Sequence, residues 1–144
     1  LLLGHLHYDG SVPEVFVEVT AQVPAAHARS DSTSFTLTEA AWADAHRRRR
    51  ERGADEQILG WWHSHPARSW CRECPPDKRA ACSLQQCFFS AADREVHQAG
   101  FPRAYSVALV VTDAETGLHH DLYGWRDGAI AERAFLLPAA AGQA

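Results

Sequence analysis

The run Ile58-Leu59-Gly60-Trp61-Trp62 is apolar throughout, turns polar at His63-Ser64-His65 and is stopped by Pro66. A continuous apolar stretch ended by proline predicts a buried strand that emerges at a sheet edge. Its polar end is then held in place by the sheet behind it. His63 and His65 are two positions apart on that strand, so both imidazoles project from one face, as two ligands of a single ion must. Taken alone, His-x-His also arises by chance, and the ligand reading stands beside that of ordinary histidines.

Such a strand needs a sheet around it and helices over it. At 144 residues, 46% apolar and 22% charged, the chain has the size of one globular domain and can bury about 70% of its unfolded surface. This excludes a disordered segment, a collagen-like repeat and a disulfide miniprotein. With Lys+Arg 14 against Asp+Glu 18, the formal charge of -4 gives no overall attraction to nucleic acid or anionic lipid. Arg47 to Arg50 read as a solvated helix end, where cations complement the dipole. No apolar run approaches the ~20 residues of a membrane span. Leu1-Leu2-Leu3-Gly4 lacks the charged and cleavage regions of a signal peptide. The expectation is a soluble, cytoplasmic protein with no nucleic-acid or membrane partner. The chain contains no Met, and the expectation is that it starts inside a longer protein.

Punctuation and periodicity divide the chain into α and β elements, the α/β class. Leu1 to Leu6 and Val15 to Val19 predict a hairpin turning near Asp9-Gly10, and residues 21–34, rich in Pro, Ala, Ser and Asp, a connecting loop. Phe35-Thr36-Leu37 predicts a short strand, and Thr38 the N-cap of a helix through Trp42 and Ala45 to Arg52, closed by Gly53. After residues 66–89, which hold four Cys and Pro75-Pro76, Ser90 to Ala99 predicts a helix with Gly100 past its end. Ser106 to Val111 predicts a strand, Asp113 to Gly117 a turn, His119 to Trp125 the partner strand and Asp127-Gly128 a further tight turn. An Ala-rich tail follows from Pro138. Trp42, Trp61, Trp62 and Trp125 are expected in the core, with Trp70 as a lid of the 66–89 segment. His5, His7, His97, His119 and His120 are expected to be solvent-facing or hydrogen-bonded and not ligands.

Ser90-Ala91-Ala92-Asp93 opens the later helix, and its plain reading is a cap in which Ser90 and Asp93 satisfy the helix start. The same cap would also fix the direction of the Asp93 carboxylate. His63-Ser64-His65-Pro66 followed by Ser90-Ala91-Ala92-Asp93, behind the apolar strand and an opening Leu-Leu-Leu-Gly strand, resembles the JAB/MPN (JAMM) family of zinc metalloproteases. The resemblance covers nearly the whole chain. It implies a single domain over residues 1–138 with a cytidine-deaminase-like fold, a mixed curved sheet flanked by helices, followed by a tail at 139–144. It implies that His63, His65 and Asp93 hold a catalytic zinc whose open position takes water, with Ser90 placed to hydrogen-bond the developing oxyanion. The implied reaction is hydrolysis after the C-terminal glycine of ubiquitin or a ubiquitin-like protein. The implied partners are such conjugates and E1- or E2-like conjugation enzymes encoded nearby, as for bacterial members. The non-catalytic alternative is an MPN-type scaffold that binds partner proteins. A DNA-repair branch of the same fold resembles this chain less well between the motifs.

Two departures from the family pattern bear on this reading. The family's general-base Glu precedes the Gly of the opening strand, which puts it, with a first helix, upstream of Leu1; Glu14 and Glu18 do not match the motif. The other departure is the long gap between His65 and Ser90, an insertion at 66–89 containing Cys71, Cys74, Cys82 and Cys87. Four Cys, two of them as C-x-x-C, match the donor count of a second, structural zinc site. Two disulfides or free thiols are the alternatives, and a reducing cytoplasm argues against disulfides.

Overall fold

The computed structural model describes residues 1–30, 35–53 and 55–137. Strands β1 (Leu2–Tyr8) and β2 (Val15–Gln22) form the expected antiparallel hairpin. Its turn is tightened by Asp9, whose carboxylate accepts the Ser11 N–H at 2.8 Å. The loop expected over 21–34 is partly structured. β2 runs on to Gln22, and β3 (Arg29–Ser30) pairs with β4 (Phe35–Thr36). A two-residue ladder leaves no periodicity in the sequence, and positions 31–34 of the loop lie outside the described residues.

Helix α1 (Glu39–Arg52) starts where Thr38 Oγ1 accepts the Ala41 N–H at 3.2 Å. It buries Ala41 and Ala45, and Trp42 lies against Phe101 with ring centroids 5.3 Å apart. The arginine run sits at the C-terminal end as expected. Arg47 and Arg48 pair with Asp44, and Arg52 makes a two-nitrogen contact with Glu56.

β5 (Gln57–His65) is the centre of the sheet. It pairs antiparallel with β1 and parallel with β6 (Val107–Ala114), which continues antiparallel to β7 (Gly117–Arg126) and β8 (Ala129–Arg133). The result is a six-stranded mixed sheet in the order β2-β1-β5-β6-β7-β8. This is the mixed α/β architecture expected from the sequence. A parallel pair requires a crossover, and here it carries the Cys-bearing insertion, with the short helix α2 (Ala67–Trp70), and then α3 (Ala91–Gly100). Gly60 makes the close strand approach possible. A Cβ there would sit 1.7 Å from the Val107 carbonyl oxygen.

Some boundaries differ from expectation. β6 continues through Asp113 to Ala114, so the turn shrinks to Glu115 and Thr116, and Gly100 is the last helical residue with Phe101 at the C-cap. In both places backbone pairing carries an element past its last strongly patterned side chain. The tail expected from Pro138 lies outside the described residues. Among the described residues no helix is long and apolar enough to cross a membrane.

Side chains alternate across β5, and Trp61 shares its face with His63 and His65. On that face Trp61 joins Ala45, Phe89, Phe101, Ala108 and Val110 in the core. The two histidines thus continue the core face to its rim.

Candidate metal centre

Two elements converge at this rim. β5 ends at His65 because Pro66 offers no ladder donor, and α3 begins beside it with a reciprocal cap. The Asp93 N–H donates to Ser90 Oγ at 3.1 Å, and the Ser90 N–H donates to Asp93 Oδ2 at 2.8 Å. The cap fixes the carboxylate toward β5. His63 Nε2 lies 3.1 Å from Asp93 Oδ1, His65 Nε2 lies 3.7 Å from Asp93 Oδ2, and the two Nε2 atoms are 3.0 Å apart. Ligands held about 2.0–2.1 Å from a tetrahedral ion lie roughly 3.3 Å from one another. The three observed separations bracket that value, so His63, His65 and Asp93 could hold one metal ion.

Burial is graded across the three. The His65 and Asp93 side chains retain 6% and 13% of their exposure, while His63 retains 22% and faces the open side. Burial alone would raise the Asp93 carboxyl, but His63 and His65 beside it, helped by Ser90, outweigh this and hold it far below the usual carboxylate range. It is an anion at neutral pH. Ser90 Oγ accepts from the helix, and its own O–H is a donor on the side of the Asp93 carboxylate, which it helps to lower.

The imidazoles are oriented by aromatic rings. Neither His63 Nδ1 nor His65 Nδ1 has a hydrogen-bond partner, whereas a ligating histidine usually has a carboxylate or carbonyl at that atom. Instead His63 stacks on Trp61 at 4.7 Å, and His65 meets Phe88 at 4.6 Å and Trp70 at 5.2 Å. Trp70, expected as a lid of the insertion, lies against His65 and keeps an exposed face. Phe88 was not singled out by sequence; its place two residues before Ser90 was the available signal.

The insertion brings together three of its four cysteines. Cys71, Cys74 and Cys82 place their sulfurs within 4.8 Å of one another and could also hold a metal ion. Cys87 stands apart, beside Asp121 and Thr112, where burial and then the Asp121 carboxylate push its thiol up to about 11. This departs from the expected set of four. The sheet places Thr112 and Asp121 under residue 87, a long-range neighbourhood that Cys spacing does not encode.

The other aromatic and histidine expectations divide. Trp61 is buried, and Trp42 and Trp125 pack against the core, but Trp62 is 38% exposed, with its indole N–H donating to Gln22 Oε1. Adjacent strand residues point to opposite faces, so only one of the Trp61-Trp62 pair can enter this core. His97 is fully buried and accepts from Trp61 Nε1 at 3.3 Å, His7 pairs with Glu18 at 2.8 Å, and His119 contacts Thr116. None of these belongs to the candidate metal-binding groups found among the described residues. Comparison with family models, curated proteins and solved structures yields no match to this chain.

Proposed function

We propose that the chain is a zinc-dependent isopeptidase or peptidase of the JAB/MPN type, acting in the cytoplasm after the C-terminal glycine of a ubiquitin-like protein. One observation carries this reading: two imidazole nitrogens and a carboxylate, brought from β5 and the start of α3, meet at separations suited to one ion. Two neutral nitrogens and one carboxylate on the rim of a sheet are the donor set of a hydrolytic zinc, and three protein ligands leave a position for reactants. When bound, zinc supplies Lewis-acid activation of water and of the scissile carbonyl at neutral pH.

The chain's own groups divide the remaining work. His63, His65 and Asp93 would hold the ion, and Trp61, Phe88 and Trp70 keep the imidazoles aimed at it. The Ser90 O–H would donate to the oxyanion that develops on the substrate carbonyl. The reading also requires a general base, to which no residue of this chain is assigned.

The test uses zinc content and cleavage together. The protein, with any residues that precede Leu1, should bind zinc through this site and release a reporter fused behind the terminal glycine of a ubiquitin-like protein. Chelation, His63→Ala and Asp93→Ala should each stop cleavage, and each substitution should lower bound zinc by one per chain. Zinc binding without cleavage would favour the scaffold that binds conjugates or conjugation enzymes. Unchanged zinc in both variants would remove the metal centre and the hydrolase with it.

A further inference from the structure

The insertion contains little that could fold it. Between Pro66 and Cys87 the buried side chains are Ala67, Cys71 and Gln85, far less apolar surface than an autonomous loop needs. Polar bonds through Gln85 hold it: Gln85 Nε2 donates to the Ala67 carbonyl at 3.0 Å within the insertion, and the Glu115 N–H of the β6–β7 turn donates to Gln85 Oε1 at 2.7 Å. Its interior is sulfur. Cys74 Sγ and Cys82 Sγ are 4.0 Å apart, and Cys71 Sγ lies within 4.8 Å of both. Thiolates about 2.3 Å from a tetrahedral zinc lie roughly 3.8 Å from each other. The spacing is that of sulfurs around an ion, and all four cysteines are free thiols.

Position gives this cluster a consequence. Cys71 follows Trp70 directly, at the C-cap of α2, and Trp70 lies on His65 beside Phe88. We propose that Cys71, Cys74 and Cys82 bind one zinc ion as a three-thiolate clip, with Cys87 outside the ligand set, and that the clip holds Trp70 against His65. The fourth position is left to solvent. Binding an ion between residues that no apolar core holds converts metal affinity into folding free energy for the insertion. The clip is independent of the hydrolase reading, because its ligands and its readouts involve no reaction at the rim triad.

The test is made on the His63→Ala protein, so that the rim triad does not contribute. Titrating the metal-free protein with Co2+ should produce the near-ultraviolet thiolate-to-metal band at one equivalent. The band should persist in Cys87→Ser and vanish in Cys74→Ser and in Cys82→Ser. Without any cysteine variant, Zn2+ should protect Cys71, Cys74 and Cys82 from iodoacetamide and leave the rate at Cys87 unchanged. Zn2+ should also slow tryptic cleavage after Arg68 and Arg72, which flank Trp70, by about tenfold or more, as expected when an ion stabilises the closed segment. Loss of the band in Cys87→Ser, or zinc protection of Cys87, would establish a four-thiolate site and overturn the ligand set. A band that survives in Cys74→Ser and Cys82→Ser, or cleavage indifferent to Zn2+, would overturn the clip.

Discussion

Trp61 lies almost parallel to His63, with ring centroids 4.7 Å apart and planes at 17°, while its indole N–H donates to the buried His97. One side chain therefore braces a candidate ligand and ties β5 to α3. Trp61→Leu removes both functions and should weaken zinc binding at the His63, His65 and Asp93 site by about 10–100-fold, the usual effect of losing a ligand's support. Trp61→Phe keeps the ring face and loses the donor. It should retain most of the affinity and cost about 1–3 kcal/mol, because His97 Nδ1 is left buried and unpaired. Competition against a chromophoric chelator and urea unfolding measure the two effects separately; equal affinity loss in both variants would refute the stacking role.

Asp93 serves the helix as well as the ion, so its replacement should show two separable effects. Without metal, Asp93→Ala loses the contact to the Ser90 N–H and should be less stable by roughly 1 kcal/mol. With zinc at about a hundred times its Kd, the wild-type rim site should gain about 2.7 kcal/mol, or about 5–10 °C in Tm for a chain of this size. Asp93→Ala should lack that increment. Any zinc-induced rise it retains reports the cysteine cluster, and a rise equal to that of the wild type would exclude Asp93 as a ligand.

The legible parts of this molecule were those whose physics is local. Thr38 and Ser90 announced their helices because a cap is a short-range bond, and Pro66 announced the end of β5 because a missing N–H stops a ladder anywhere. His63 and His65 could be put on one face by strand alternation alone. Their meeting with Asp93 is a tertiary fact and entered only through the motif resemblance. What stayed hidden depended on the sheet's register. The same alternation that paired the histidines should have separated Trp61 from Trp62, but which face would be covered is settled by where α1 and α3 land. Cys87 was grouped with its sequence neighbours although β6 and β7 place Thr112 and Asp121 beside it. Phe88 against His65 was equally a product of the crossover's path.

Gly60 should tolerate no side chain. It lies between Leu2 of β1 and Val107 of β6, and a methyl group there would collide with the backbone oxygen of Val107, which cannot rotate away. Gly60→Ala should destabilise the fold by about 3 kcal/mol or more in urea unfolding. Because Trp61, His63 and His65 follow on the same strand, zinc affinity should fall with it. A variant of wild-type stability would mean that β5 and β6 pair less closely at this point.

His97 should set the acid limit of the fold. Burial pushes its imidazole down to about 4, with only partial opposition from the Ser106 backbone, whereas the unfolded chain protonates it near the ordinary 6.5. Between those two values the unfolded state holds the extra proton. Its contribution to stability is therefore intact above about pH 6.5 and declines as the pH falls toward 4, by about 3 kcal/mol in all. His97→Gln removes the titrating group and is expected to be the less stable protein at pH 7, with its buried partners poorly matched. Its pH profile should nevertheless be flatter. In urea unfolding with chelator present, the gap between wild type and variant should narrow by about 2 kcal/mol from pH 7 to pH 5. Parallel profiles would show that His97 takes up its proton in the folded protein as readily as in the unfolded chain, and that acid acts elsewhere.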